Sequence, residues 1–329
     1  MKKIAFLLVV ICMVILTGCS STSKPSEEKS TAKMDFPQKP IELVVPFAPG
    51  GANDVAARIV ANAANKHMPN GQSVVVSNKP GGGAVIGATD VYNSKPDGYK
   101  LLYLSATAGS IQPNFGETVY THNSFQPVVR VLTYSQVLVV SKDSPWNNFQ
   151  EWLEYVKKNP NKFTYGTQGV GSTGHLAMEE LASAAGLELK HVPFSGASTA
   201  QTALLGGHIQ GIFVAPTDLN LDALRPLGDI GTKTNPRINV PLIKDMGVNV
   251  SRDLYAGIVA PKGIPKEVLA LLVDVFKKAV EDPTVKEQLQ KAGLEPNYAD
   301  PEGFQKQITN DYEAYNVLFK KLKLGKNNQ

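Results

Sequence analysis

Strand-sized apolar runs that end in a glycine-rich turn and pass directly into a helix recur along this chain, and few folds accept that order. The first run is Ile41-Glu42-Leu43-Val44-Val45-Pro46-Phe47, bounded by Pro40 and by Pro49-Gly50-Gly51. Its β-branched content reads as a strand. A helix to about His67 follows, with Asn53 or Asp54 as its cap and Val55, Ile59 and Ala63 on one face. Val74–Ser77 is the next strand, Pro80-Gly81-Gly82-Gly83 the next turn, and a helix spans about Ala84 to Asn93. Pro96-Asp97-Gly98 then turns the chain into a third strand, Lys100–Ala106. This order predicts an α/β fold with a parallel, doubly wound sheet, because neighbouring parallel strands need a crossover helix between them.

The theme restarts further on. Asn148 and Glu151 stand at capping-box-like spacing before a helix reaching about Lys158. A strand at Phe163–Thr167, the loop Gly169-Val170-Gly171-Ser172-Thr173-Gly174 and a helix from Thr173 to Ala185 closed by Gly186 follow. Leu189–Val192 is a strand, Ser198–Leu205 a helix closed by Gly206-Gly207, and Ile209–Val214 another strand. Beyond the strand Tyr255–Ala260 the pattern is helical at Pro265–Glu281, Pro283–Ala292 and Pro301–Leu322, each with proline near its first turn. We therefore expect one domain from residues 36–130 plus 257–329 and a second from 131–256. Two crossings near Gln126–Val131 and Leu254–Val259 would form a hinge.

The chain opens with Lys2-Lys3 and an apolar stretch, Ile4–Leu16. Its 13 residues are too few to span a bilayer, which takes ~20. Residues 1–18 read as an export signal ending at Leu16-Thr17-Gly18-Cys19, where a lipoprotein signal peptidase would cut in front of an acylated Cys19. An ordinary secretory signal with an incidental cysteine is the plainer alternative. Residues 19–35, rich in Ser, Thr, Lys and Glu, read as a flexible tether. The only other cysteine, Cys12, leaves with the signal. The mature body then holds no thiol for a disulfide, a thiolate metal site or a cysteine nucleophile. The net charge of +4, less Lys2 and Lys3, leaves +2. With no basic block carrying interleaved aromatics, nucleic acid is not an expected partner.

Chemistry would sit on the loops. At Phe47-Ala48-Pro49-Gly50-Gly51-Ala52-Asn53 a strand end meets a helix start, whose first amides lack internal partners and carry the positive end of the helix dipole. Such a place attracts carboxylate or phosphate; the alternative is a tight turn and a cap. Pro80–Ala84 and the strand end Ser105-Ala106-Thr107 are weaker candidates of the same kind. Gly169–Gly174 matches G-x-G-x-x-G, but a dinucleotide site wants an acid at the end of the next strand, which here ends His191-Val192-Pro193. A loop offering amides and the Ser172 and Thr173 hydroxyls to an anion fits better. His175, one turn on, either lines the pocket or is packed. His67, His122, His191 and His208 are isolated, no G-x-S-x-G occurs, and the acids show no metal-ligand spacing. A pocket of this kind binds rather than converts, with no cofactor or metal implied.

Taken together, Val45-Pro46-Phe47-Ala48-Pro49-Gly50-Gly51 with Asp54 and Ala57-Arg58, Asn78-Lys79-Pro80-Gly81, Lys95-Pro96-Asp97-Gly98-Tyr99, Tyr165-Gly166-Thr167 through His175-Leu176, His191-Val192-Pro193-Phe194 and Leu204-Leu205-Gly206-Gly207 resemble the loops of the tripartite tricarboxylate transporter receptors, the TctC or Bug family. The resemblance runs from about Phe36 to Leu322. It implies a type II, Venus-flytrap fold of two domains with the ligand between them. It also implies that a ligand carboxylate is held by backbone groups and waters at Phe47–Asn53, with Ala84 nearby. The far end of the ligand would meet Ser105, Thr107, the segment Thr167–Thr173 with Gly169 and Gly171, and Phe194-Ser195-Gly196-Ala197. One departure is visible. The family often carries an acid after the strand that here ends Ile212-Phe213-Val214, but Ala215-Pro216 stands there and Asp218 falls later. The expected role is that of a monomeric, exported, lipid-anchored receptor handing a small carboxylate to membrane permease subunits. A sensor domain for a signalling partner, or an exported hydrolase on the same fold, are the alternatives.

Overall fold

The computed structural model describes residues 35–116, 118–235 and 238–325. The export signal, the lipidation of Cys19 and the tether before Asp35 lie outside the described residues. Among those described, no helix is long and apolar enough to cross a membrane.

The body from Phe36 onward is built on two mixed sheets. The first has six strands: β1 (Ile41–Val45), β2 (Val74–Asn78), β3 (Lys100–Ser105), β4 (Phe125–Tyr134), β10 (Leu254–Pro261) and β11 (Glu295–Ala299), in the order β11-β4-β10-β3-β1-β2. The second has five: β5 (Val137–Ser141), β6 (Thr164–Thr167), β7 (Lys190–Pro193), β8 (Gly211–Val214) and β9 (Leu224–Asp229), in the order β7-β6-β8-β5-β9. The strand–helix–strand expectation accounts for the parallel part of each sheet. β1 runs parallel to β2 and β3, and β6 parallel to β7 and β8. In β1 and β3, Leu43, Val44, Val45, Leu101 and Leu102 are wholly buried, as expected of strands covered on both faces.

The helices are α1 (Ala52–Ala64), α2 (Val85–Tyr92), α3 (Gln112–Phe115), α4 (Phe149–Lys158), α5 (Thr173–Ala185), α6 (Ala197–Leu205), α7 (Lys266–Glu281), α8 (Pro283–Lys291) and α9 (Pro301–Leu322); all but the short α3 follow the expected order. A π-helical turn, Thr107–Ile111, leads into α3. The cap of α1 differs from expectation. Gly51 occupies that position without a side-chain bond, and Asp54 lies inside the first turn. Its carboxylate is drawn instead to the Gly50 amide, Arg58 and Asn78, so the helix has no side-chain cap from its own first turn.

β4 and β10 pair with each other antiparallel from Leu254↔Tyr134 to Pro261↔Phe125. They contain the segments expected to act as a hinge. From β4 the chain passes through Ser135-Gln136 into β5 and the second sheet. Cores lie on both sheets. The second sheet is filled on one face by Phe149, Trp152, Phe163 and Tyr165, and on the other by Ala200, Leu204 and Ile209. The C-terminal half of α9 brings Tyr315 and Phe319 against Ile111 and against Leu176 of α5. It is therefore a strap between the two sheets' layers.

Candidate functional site

Parallel strands send their following loops out at one sheet edge, and here the edges of both sheets face one cavity. Its volume is about 420 Å³. One wall is the β1–α1 loop, Pro46 to Asn53, with Pro80, Gly81, Gly83 and Ala84 ahead of α2 and Thr107 beyond β3. The opposite wall carries Gln168, Ser172 and Thr173 at the start of α5, Ser195 to Ser198 at the start of α6, and Ala215 with Thr217 to Asn220 after β8. Tyr134 and Gln136, at the passage from one sheet to the other, form the floor between them.

The β1–α1 loop is held from behind. Gly50 sits at φ 86, where an L side chain is strained, and its amide donates to Asp54 Oδ2 at 2.9 Å. Asn78 Nδ2 bridges the Phe47 carbonyl at 3.1 Å and Asp54 Oδ1 at 2.8 Å. Arg58 Nε reaches Asp54 at 3.0 Å and its Nη2 reaches Asn78 Oδ1 at 2.9 Å. Burial pushes the Asp54 carboxyl up, but the bonds from Arg58, Gly50 and Asn78 outweigh it and hold it below the usual carboxylate range. The result is a preset loop with the first amides of α1 facing the cavity.

The Gly169–Gly174 loop is held by two stacked imidazoles. His175 Nδ1 accepts from the Gly171 amide at 3.2 Å, and Ser172 Oγ caps α5 by accepting from the His175 amide at 3.3 Å. His175 stacks on His191 at 4.3 Å between centroids, and His191 on Tyr165 at 5.0 Å. Burial pushes both imidazoles down to about 4. Gln112 of α3 spans the gap, its Nε2 donating to the Val170 and Gly171 carbonyls at 3.2 Å each.

Of the sequence-predicted residues, Phe47, Pro49, Gly50, Gly51, Ala52, Asn53, Ala84, Thr107, Ser172, Thr173, Ser195, Gly196 and Ala197 line the cavity. Six stand behind its wall. Ser105 ends β3 fully buried, with its Oγ unpartnered. Thr167 Oγ1 is bonded to His191 Nε2 at 2.7 Å. Gly169 and Gly171, at φ 116 and 69, shape the turn, His175 braces it, and Phe194 packs on the α6 core. Sequence reasoning missed Tyr134, Gln136, Gln201, Thr217 and Asn220 as lining residues, and had Gln168 only within the segment Thr167–Thr173. It set Asp218 aside as misplaced, yet Asp218 lines the cavity.

No Lys, Arg or His side chain is among the lining residues; the titratable ones are Asp218 and Tyr134. Burial pushes the Asp218 carboxyl up to about 6, opposed by the Thr217 hydroxyl and by the Ala52 amide that faces it. Burial also raises Tyr134, whose hydroxyl meets the Asn53 side chain. The lining hydroxyls have no imidazole beside them within the cavity to act as a base.

Two sheets facing across a cavity of ligand size, with helix starts and hydroxyls on its walls, are the architecture of a solute-binding receptor of the periplasmic-binding-protein type. A family model described as tripartite tricarboxylate transporter family receptor matches residues 56–324. A UPF0065 protein of Cupriavidus necator is 35% identical over 88% of this chain and 90% of its own. Among solved structures, the periplasmic binding protein BugD is 30% identical with a TM-score of 0.82, covering 88% of this chain and 99% of BugD. An R. palustris protein solved with adipate is 25% identical with a TM-score of 0.84 over 88% and 99% of the two chains. The chain belongs to the tripartite tricarboxylate transporter receptors, the TctC/Bug family, as its loops suggested.

Proposed function

We propose that this receptor captures a small organic acid outside the cytoplasm and presents it to the membrane subunits of a tripartite tricarboxylate-type transporter. The observation that carries the reading is the start of α1, without a side-chain cap at Gly51, presented by the clamped Phe47–Asn53 loop to a cavity without a cationic side chain. A carboxylate there is met by amides and a helix dipole rather than by an ion pair. The dipole contributes about 0.3–1 kcal/mol and each charge-assisted hydrogen bond about 1.5–3 kcal/mol. Hydroxyls of Thr107, Thr173 and Ser195 serve the rest of the ligand. The R. palustris relative solved with adipate supports an acid of this class. The two sheet-bearing lobes, divided near residues 130 and 257, close over the ligand, and the closed shape is what the permease reads. Closure is driven only by the ligand's better contacts in that shape. Cys19 carries the lipid that keeps the receptor at the membrane, which fractionation of the mature protein checks: recovery wholly in the soluble fraction would remove the anchor.

Calorimetry with adipate, malate, succinate and citrate, on the native chain and on Gly51→Val, tests the site. Gly51 has φ −80, and a Cβ there would meet nothing nearer than Ala48 O at 3.9 Å, so the substitution leaves the fold unstrained while filling the wall. We expect at least one acid to bind and the variant to bind it tenfold or more weakly, a loss of roughly 1.4 kcal/mol. Equal affinity in the two proteins would rule out the α1 start as the seat.

A further inference from the structure

The cavity proposed above for an anion contains a carboxyl of its own. Asp218 reaches it from the segment after β8, on the second-sheet side, and the Ala52 amide, the first of α1 on the first-sheet side, faces that carboxyl. The protein's own acid therefore stands at the seat that a ligand carboxylate would use. Two ionised carboxylates cannot share one helix start without repulsion, and one proton between them removes it.

We propose that Asp218 takes up this proton when the receptor loads: in the occupied site its carboxyl is neutral and donates its O–H to the ligand carboxylate, so that capture is linked to pH. The linkage rests on the carboxylate reading of the same cavity and deepens it. The proton comes from solvent, one per ligand, and no bond other than hydrogen bonds changes.

The surroundings favour the neutral form. On α1 the cation is Arg58, and it is engaged by the Asp54 carboxylate and the Asn78 amide oxygen. From β4 comes the Tyr134 hydroxyl, which burial keeps protonated. From α6 comes Gln201, neutral, donating to the Asp218 backbone carbonyl. Thr217 on its own segment supplies a hydroxyl. No Lys, Arg or His lines the cavity to stabilise two negative charges. Burial has already moved the Asp218 carboxyl to about 6, within reach of a proton near neutrality.

Adipate binding is measured by calorimetry between pH 6.5 and 8.5, where adipate itself stays ionised, in pairs of buffers differing in ionisation enthalpy. The same series is run on Asp218→Asn, which keeps an acceptor for the Ala52 amide, with its folding checked by thermal melting. The native receptor should take up close to one proton per adipate, and its Kd should rise roughly tenfold per pH unit across this range. Asp218→Asn should take up none and bind with a flat pH profile. The infrared difference spectrum of the native complex should show a protonated carboxyl band that the variant lacks. Binding without proton uptake, or equal uptake in both proteins, overturns the linkage and leaves the carboxylate reading intact. If adipate, malate, succinate and citrate bind neither protein at any pH, the carboxylate reading falls and the linkage with it. Aspartate binding that tightens as pH rises would also overturn it, by making ionised Asp218 the partner of an ammonium group.

Discussion

His175 accepts the Gly171 amide through Nδ1, a bond that exists only while the ring is neutral, and it stacks against a second ring, His191, that must stay neutral beside it. Sequence reasoning left His175 open between pocket lining and packing. The structure places it behind the pocket, bracing the turn. Because burial holds both imidazoles at about 4, we expect NMR titration to find both rings uncharged through the ordinary histidine range near 6.5 and protonating only toward pH 4, as a coupled pair. Their folded values lie below the unfolded one. The stability they contribute is thus complete above about pH 6.5 and is lost as pH falls toward 4. Asp218, Asp229 and Asp311, each pushed up to about 6 by burial, act in the opposite sense, because the folded chain holds protons there that the unfolded chain releases down to 3.8. A melting curve mixes the two effects, whereas the ring resonances separate them. An imidazole at either position titrating near 6.5 would show that the stack is open to water.

Elements whose ends carry their own chemistry were legible in the sequence. α5 and α9 occupy the expected residues because Ser172 and Asp300 cap them, Pro301 starts α9 and Gly186 at φ 66 closes α5. β2 and β3 announced themselves by apolar runs between turns. β4, by contrast, reads Phe125-Gln126-Pro127-Val128-Val129-Arg130 and neither alternates nor avoids proline. Its identity comes from β10 and β11, more than a hundred residues away, and no local window contains them. β9 and β11, each with an internal proline, escaped for the same reason, whereas the apolar run of β5, Val137–Ser141, was locally legible and was passed over. The cap of α1 was misread because Asp54 has the right chemistry to cap, but the local pair with Arg58, the Gly50 amide and the arrival of Asn78 from β2 engage it otherwise. At the site this produced a division by chain distance. Glycine turns that need a positive φ, such as Gly50 and Gly169, were visible as cavity formers. Gln136, Gln201 and Asp218 become wall residues only once the second sheet faces the first.

Whether the two lobes part depends on what holds them when the cavity holds no ligand. The strap of α9 is apolar and continuous, with Tyr315 and Phe319 on Leu176. Among the polar ties across the lobes, beside Asp218 with the Ala52 amide and Asn235 Nδ2 with the Gly293 carbonyl, Gln112, buried on the first-sheet side, donates to the Val170 and Gly171 carbonyls on the other. The approach is so close that a Cβ on Gly83 would fall 3.3 Å from the Val170 carbonyl oxygen. If the lobes open as proposed, the Gln112 hydrogen bonds would be lost, so they would bias closure without touching the fold of either lobe. Gln112→Ala removes them, and opening then lets water satisfy the two carbonyls. At about 0.5–1.5 kcal/mol for each neutral bond, the closed population falls several-fold to roughly a hundredfold, and ligand affinity falls by the same factor because only the closed form is complete. Small-angle scattering should show a larger radius of gyration for the ligand-free variant than for the native chain. Saturating ligand should return it to the native value, since its binding free energy replaces the missing tie. Unchanged scattering together with unchanged affinity would mean that the Gln112 bonds do not hold the lobes, and that the α9 strap and the remaining contacts do.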